Sequence, residues 1–405
     1  MKEPLRQVLR PAARTRIGRR AQRRVFEMTH FGRAIQTFDR PGWLYGFHGA
    51  IPSPDLHFRA TRTPTEADIA LCQRLIDAYS LAQAEGPRTS GMWAHEVFQD
   101  RQRDLVFALR SANGELLAQR LAPMFRSEFV LGMASGSLGA RESPRIVNRF
   151  WAHLILNKLV ALAESQGTAR AENPEQGDVG LAFAGGIEQL VADTEAALGT
   201  SLNFPGVGAA YGIEVSGRLI SFDSLDQIYA AARIKDAVRT YLPDLDSPLR
   251  LVEIGGGFGA MAFWLTQMVD LSYAIVDLPI VNVLQGYFLT QAMGEDQVSL
   301  YGEQRRGVRI LPTHALSDIE PPFDILVNKD SMPEIPRDAA LEYLRWARDS
   351  CNGIFYSYNQ EVGGPLNGEP QNVVPALIAQ VGGFERLSRD TSWLRRGYAE
   401  EVYRF

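Results

Sequence analysis

Cysteine is scarce in this chain: there are two, Cys72 and Cys351, far apart in sequence. They make neither a disulfide framework nor a metal-ligand spacing, as expected of a protein kept in a reducing cytosol. Long apolar runs are also missing. No stretch approaches the roughly 20 residues that a membrane span needs. The first residues have no apolar core of the kind a secretory signal carries, so none is expected. Repeats and low-complexity tracts are absent too. What is present is ordinary: 45% hydrophobic and 22% charged residues over 405 positions. That is the profile of a soluble globular protein with room for two domains and a large core.

Charge is unevenly spread. The net charge is −5, yet residues 1–40, "MKEPLRQVLRPAARTRIGRRAQRRVFEMTHFGRAIQTFDR", hold eleven Lys and Arg against three acids. The arm is therefore +8 and the remainder −13. Such an arm suits an anionic membrane surface, or is simply a solvated tail. Pro11 and Gly18 argue against one continuous amphipathic helix through it, because proline removes a ladder hydrogen bond and glycine weakens a helix. The solvated tail is the plainer expectation, with peripheral contact at the inner membrane surface as its alternative; a nucleic-acid partner is not expected.

The texture changes near residue 215. Before it, "PTEADIALCQRLIDAYSLA" (64–82) reads as a helix with acids in its first turn. Residues 95–125 read as two helices broken at Asn113-Gly114, and 143–167 as a third, opened by Ser143 and Pro144 and stopped by Gly167. After "YGIEVSGRLISFDS", a short hairpin, apolar runs alternate with helical patterns. The strands are expected at 249–254, 273–277, 308–311, 323–328 and 353–358, the helices at about 259–269, 279–293, 336–350 and 370–381. That alternation specifies a parallel sheet covered on both faces. The final runs, "FERLSRDTSW" and "YAEEVYRF", are joined only by "LRRG", too short for a crossover, so they pair antiparallel. The expected fold is α/β: a doubly wound, seven-stranded, mostly parallel sheet with a C-terminal antiparallel hairpin. A mainly helical domain (1–215) precedes this second domain (216–405) and covers its acceptor side.

"LRLVEIGGGFGAMAFWL" (249–265) is the first strand-to-helix turn of that sheet. There a nucleotide-like ligand lies against backbone, and an acid about 20 residues on takes ribose hydroxyls. Asp277 stands 20 residues after Gly257. Gly255-x-Gly257-x-x-Ala260 passes loosely for a dinucleotide fingerprint, and a tight packing turn with no ligand is a further alternative, disfavoured by the acids before and after it. Three features favour S-adenosylmethionine. Glu253 precedes the first glycine, where a carboxylate meets an ammonium but repels a pyrophosphate. Gly259 completes an E-x-G-x-G-x-G pattern. The terminal hairpin is a mark of class I methyltransferases.

"VEIGGGFGAMA", "YAIVDLP" and "FDILVNKDSMPEIP", followed by "IFYSYNQE", resemble the bacterial sugar O-methyltransferases, which have the class I fold. The resemblance covers residues 205–405 well and the N-terminal half more loosely, through "LAPMFRSEF" and "YAAARI". It implies S-adenosylmethionine as cofactor and a sugar or glycan hydroxyl as acceptor, as in polysaccharide biosynthesis. Another small hydroxyl or amine acceptor, a nicotinamide-dependent oxidoreductase and a non-catalytic scaffold are the alternatives.

The expected cofactor site comprises Gly255, Gly256, Gly257 and Gly259 around the methionine part, with Glu253 facing its ammonium. Asp277 takes the ribose, Leu278 packs near the adenine, and Thr313 and His314 flank it. Asn328 touches the methionine part, and Arg233, sharing a helix face with Tyr229, clamps its carboxylate. Asp330 and Glu334 are the candidate general bases, with Glu361 and His314 behind them. Ser331 and Glu334 also suit capping of the next helix. Tyr358, Asn359 and Glu361 border the acceptor. Trp93, Phe125, Trp151 and Tyr211 are candidates for stacking on a sugar, and equally for core packing. No carboxylate pair has convincing metal spacing, so no metal is expected.

Overall fold

The computed structural model describes residues 54–86, 96–130, 132–134, 145–172, 180–245, 248–364 and 370–405. The basic arm, Trp93 and the Ser143-Pro144 helix start lie outside them.

The N-terminal half opens with β1 (Leu56–Phe58), then α1 (Glu66–Glu85), α2 (Glu96–Arg110), α3 (Gly114–Leu121), α4 (Arg145–Ser165) and α5 (Gly186–Leu198). Local chemistry starts these helices. Thr65 and Asp68 form a reciprocal capping box on α1, and the Asn113 side chain caps α3 by accepting from the Leu116 N–H at 2.9 Å. The expected break at Asn113-Gly114 is therefore a cap. β2 (Tyr211–Val215) and β3 (Arg218–Ile220) form the expected hairpin, and β1 adds to β2 to make a three-stranded antiparallel sheet.

α6 (Phe222–Tyr241) leads into the large sheet. Its elements are β4 (Leu249–Ile254), α7 (Ala260–Met268), β5 (Leu271–Asp277), α8 (Pro279–Met293), β6 (Val298–Ser299), β7 (Val308–Pro312), β8 (Phe323–Lys329), α9 (Arg337–Ser350), β9 (Cys351–Gln360), α10 (Val374–Val381), β10 (Glu385–Thr391) and β11 (Tyr398–Arg404). The strand order is β10-β11-β9-β8-β4-β5-β7-β6. All neighbours from β6 to β9 run parallel, and β11 and β10 return antiparallel. This is the doubly wound sheet with its terminal hairpin, as expected of the class I methyltransferase fold. The two-residue β6 is an eighth strand at the edge, too short to register as a sequence pattern.

Register levels the strand ends. Ile254 of β4 pairs with Val276 on one side and Asn328 on the other. Gly255, Asp277 and Lys329 therefore emerge together at one edge, at the point where the strand order reverses (β4 to β5 one way, β4 to β8 the other) and open α/β folds bind ligands.

One hydrophobic core runs through both halves of the chain, joining α1, α3 and α4 to α6, α7, α8 and one face of the sheet; a second lies under α9 and α10. Four phenylalanines mark the join. The ring of Phe125 meets those of Phe204, Phe258 and Phe288 edge-on, with centroids 5.3, 5.0 and 6.1 Å away. Phe125 is thus a core residue, as are Trp151 and Tyr211, and none of the three is free to stack on a sugar.

Candidate active site

The glycine turn is built by two different constraints. Gly255 and Gly257 have φ of +75° and +56°, which a side chain disfavours. A Cβ on Gly255 would also stand 2.1 Å from Ser331 Oγ, and one on Gly256 would stand 2.7 Å from Ile275 and 2.9 Å from Glu253. Gly259 is different. It caps α7 in the left-handed region, and a Cβ there would meet Leu289 of α8 at 2.9 Å. Gly259 thus serves helix packing and does not line the cleft.

Two acids flank the turn. Glu253 is 2% exposed and accepts from the Tyr273 hydroxyl at 2.9 Å. Burial, only partly opposed by that bond, pushes its carboxyl up to about 7. Asp277 accepts from the Leu278 N–H and from Gln285, both at 2.8 Å. Burial pushes it up to about 7 as well, against those bonds and the nearby Gly256 and Gly257 N–H groups.

Across the cleft stands the segment after β8. Asp330 has φ +69°, rare for a residue with a side chain. Its carboxylate accepts two bonds from Arg395 Nη1, at 2.7 and 2.6 Å, and one from Lys329 at 2.7 Å. Burial opposes ionisation, but the two cations outweigh it and hold this carboxyl well below its usual range. Asp330 is therefore a fixed anion, and its assignment as a general base is corrected. Glu334 is the reverse case: burial first, then the Asp330 charge, push its carboxyl up to about 8. A carboxylate so destabilised is the strongest proton acceptor at the site.

Several expected site residues are spent on structure. Asn328 is fully buried; its amide donates to the Ile254 carbonyl at 2.9 Å and to Ser331 Oγ at 2.6 Å. It ties β4 to the turn after β8, and Ser331 does the same through its own 2.9 Å bond to the Ile254 carbonyl. Neither Ser331 nor Glu334 caps α9, which starts from Pro336 without a side-chain cap. Tyr229 donates to Glu400, and Arg233 spans Glu400 at 2.8 Å and Asp390 at 2.9 Å, so this pair pins α6 to the terminal hairpin. Thr313 and His314 open a short turn away from the cleft lining. His314 packs edge-on to Tyr301, centroids 5.6 Å apart, against Gly86. Leu278 caps α8 and packs on the main core. Glu361 pairs with Arg389 at 2.7 Å, while Tyr358 and Asn359 are buried.

The cleft that results holds about 680 Å³ of empty space, the open solvent at its mouth included. Glu253, Gly255–Gly257 and Asp277 line one side; Lys329, Asp330, Ser331 and Glu334 line the other; Gln227 of α6 and, from the N-terminal half, Gly132 and Met133 complete the lining. Sequence reasoning missed Gln227, Met133, Lys329 and Arg395. Lys329 precedes a known candidate, and Arg395 sits in the four-residue hairpin link; the others carried no signal. Among the described residues no group of three His, Cys, Asp or Glu is placed to hold a metal.

No protein-family model matches the chain, and no curated protein matches it either. Solved structures similar to it include the mitomycin 7-O-methyltransferase MmcR, at 14% identity and TM-score 0.34, covering 84% of this chain and 94% of that one. The N-terminal domain of EvdMO1, solved in the presence of SAH and D-fucose, is similar at 14% identity and TM-score 0.32, covering 47% of this chain and 88% of that one. The CcbJ methyltransferase from Streptomyces caelestis shares 17% identity at TM-score 0.31, over 43% of this chain and 88% of that one. Likenesses of this size decide nothing about activity.

Proposed function

We propose that this chain is an S-adenosylmethionine-dependent O-methyltransferase that methylates a hydroxyl of a sugar or glycosylated acceptor. One observation carries the reading: a buried acid, a glycine turn and a strand-end acid share a cleft with a carboxyl held near neutrality. The residues present fit the cofactor. Glu253 and Asp277 offer carboxylates to an ammonium and to vicinal hydroxyls, and the glycine turn lets a ligand touch backbone. A pyrophosphate would meet Glu253, which disfavours a dinucleotide, whereas Asp277 suits the ribose of either ligand.

The cofactor, when bound, supplies an electrophilic methyl group. The protein's part is alignment and proton removal. Positioning of two reactants contributes roughly 7–11 kcal/mol. Glu334 accepts the proton of the acceptor hydroxyl, which typically adds about 10²–10⁴ in rate. Asp330, fixed by Arg395 and Lys329, keeps the Glu334 carboxyl basic by its charge. Carboxylates at the acceptor side also suit a substrate with many hydroxyl donors.

Calorimetric titration with S-adenosylhomocysteine, with NAD as control, tests the cofactor assignment. Micromolar binding of the first and none of the second is expected. Failure of the first removes the reading. A screen of sugar acceptors with the bound enzyme then tests the substrate class.

The +8 arm is read here as a contact for an anionic bilayer surface. Among the described residues no helix is long and apolar enough to cross a membrane. Arm truncation is expected to abolish co-sedimentation with anionic vesicles; unchanged co-sedimentation would refute the role.

A further inference from the structure

Gln285 is fully buried on α8, and its side-chain amide is completely committed. Its nitrogen donates to the Gly257 carbonyl at 2.9 Å and to Asp277 Oδ2 at 2.8 Å. Its oxygen accepts from the Asn282 amide, one helical turn earlier, at 3.0 Å. The orientation is therefore unambiguous, since a reversed amide would set oxygen against a carbonyl and a carboxylate. Asp277 is held from both ends: Oδ1 takes the Leu278 N–H and Oδ2 takes Gln285. The Gly256 and Gly257 N–H groups lie beside the same carboxyl, so the acid and the turn already touch.

We infer that Gln285 is a positioning residue that locks the Asp277 carboxylate to the middle of the glycine turn, so that both meet the ribose of an adenosyl ligand in one fixed geometry. The inference rests on the cofactor reading above. Asn282 is the second link, because it fixes the amide that fixes the acid. Neither residue belongs to the glycine pattern or to a strand end. The cost avoided is the ordering of the acid at the moment of binding, the usual gain from preorganisation.

The test compares two probes on the full chain: S-adenosylhomocysteine and its 2′,3′-dideoxy analogue, each titrated into wild type and Gln285→Met. Methionine keeps the length and removes the donor. Affinity for S-adenosylhomocysteine is expected to fall about tenfold, the size of one hydrogen bond to a charged group. Affinity for the dideoxy analogue is expected to stay at its wild-type value, because the misplaced acid no longer matters to it. Equal weakening of both probes would overturn the inference, since a loss of packing alone does that. An unweakened S-adenosylhomocysteine complex would overturn it too. If Gln285→Met does not fold, Asn282→Ala serves, with the same pattern expected at about threefold. Wild type that fails to bind S-adenosylhomocysteine would instead refute the cofactor reading, and this inference with it.

Discussion

Glu334, Asp330 and Glu253 show how environment, more than residue type, assigns roles among carboxylates. Glu334 must be ionised to accept a proton, so turnover is expected to rise with pH through about 8. Glu334→Gln is expected to lower kcat by about 10²–10³ while S-adenosylhomocysteine affinity is retained. Asp330→Asn removes a like charge and leaves Arg395 acting on Glu334. Both changes favour the Glu334 carboxylate, so the acid limb of the pH–rate profile is expected to move to lower pH. An unmoved limb would mean that Glu334 is not the titrating base. Glu253, held near 7, must ionise to meet an ammonium. Ligand affinity is therefore expected to rise as pH passes through about 7 in wild type and to rise less steeply in Glu253→Gln, where Asp277 alone still titrates there, as calorimetry across pH would show. At this scale the sequence was legible where backbone position dictates role: an acid at a strand end, a glycine in a tight turn. It was not legible where a long side chain chooses among partners. Arg233 was as free to clamp a ligand as to reach Glu400, and only the packing of the hairpin on α6 decides between them.

The elements were easier to read, for a physical reason. Strands buried on both faces are continuous apolar runs, and helices on a sheet keep a 3.6-residue period. Hence β4 and α8 fall where their patterns place them. β1 and β6, of three and two residues, are too short to have a pattern. α5 (Gly186–Leu198) has glycine at its first helical position and at both caps, and carries no side-chain N-cap, so its start has no local sequence signal. The turn between β4 and α7 makes the sharpest prediction. Gly255→Ala meets both a positive φ and the Ser331 hydroxyl. It is expected to lower ligand affinity at least tenfold. Adding Ser331→Gly removes the clash but not the backbone strain, so affinity is expected to recover only in part. Full recovery would show that space alone requires the glycine.

Across the whole molecule, the raised carboxyls set the response of stability to pH. Glu253 and Asp277 titrate near 7 and Glu334 near 8 when folded, against 4.5, 3.8 and 4.5 when free. Between those values the native state holds protons that the unfolded chain has lost. Stability therefore falls as pH rises from about 4 to about 8 and levels off beyond. Asp330 acts in the opposite sense, but its loss lies at strongly acid pH. A series of thermal melts in the absence of ligand should show a melting temperature that declines across this window, less steeply in Glu253→Gln. The helical character of the N-terminal half could be foreseen from its periodicity; its shared core with the sheet could not, because contacts between distant segments leave no local periodicity.

The ring of Phe258 follows directly on Gly257 and is wedged between Phe125 and Phe288, with centroids 5.0 and 5.1 Å away. A gene that inherited only the segment from α6 onward would carry nearly every residue named in the cleft, yet its cofactor turn would have lost its backrest. The two halves of this chain are thus poor candidates for shuffling: recombination could exchange them with relatives only as a matched set.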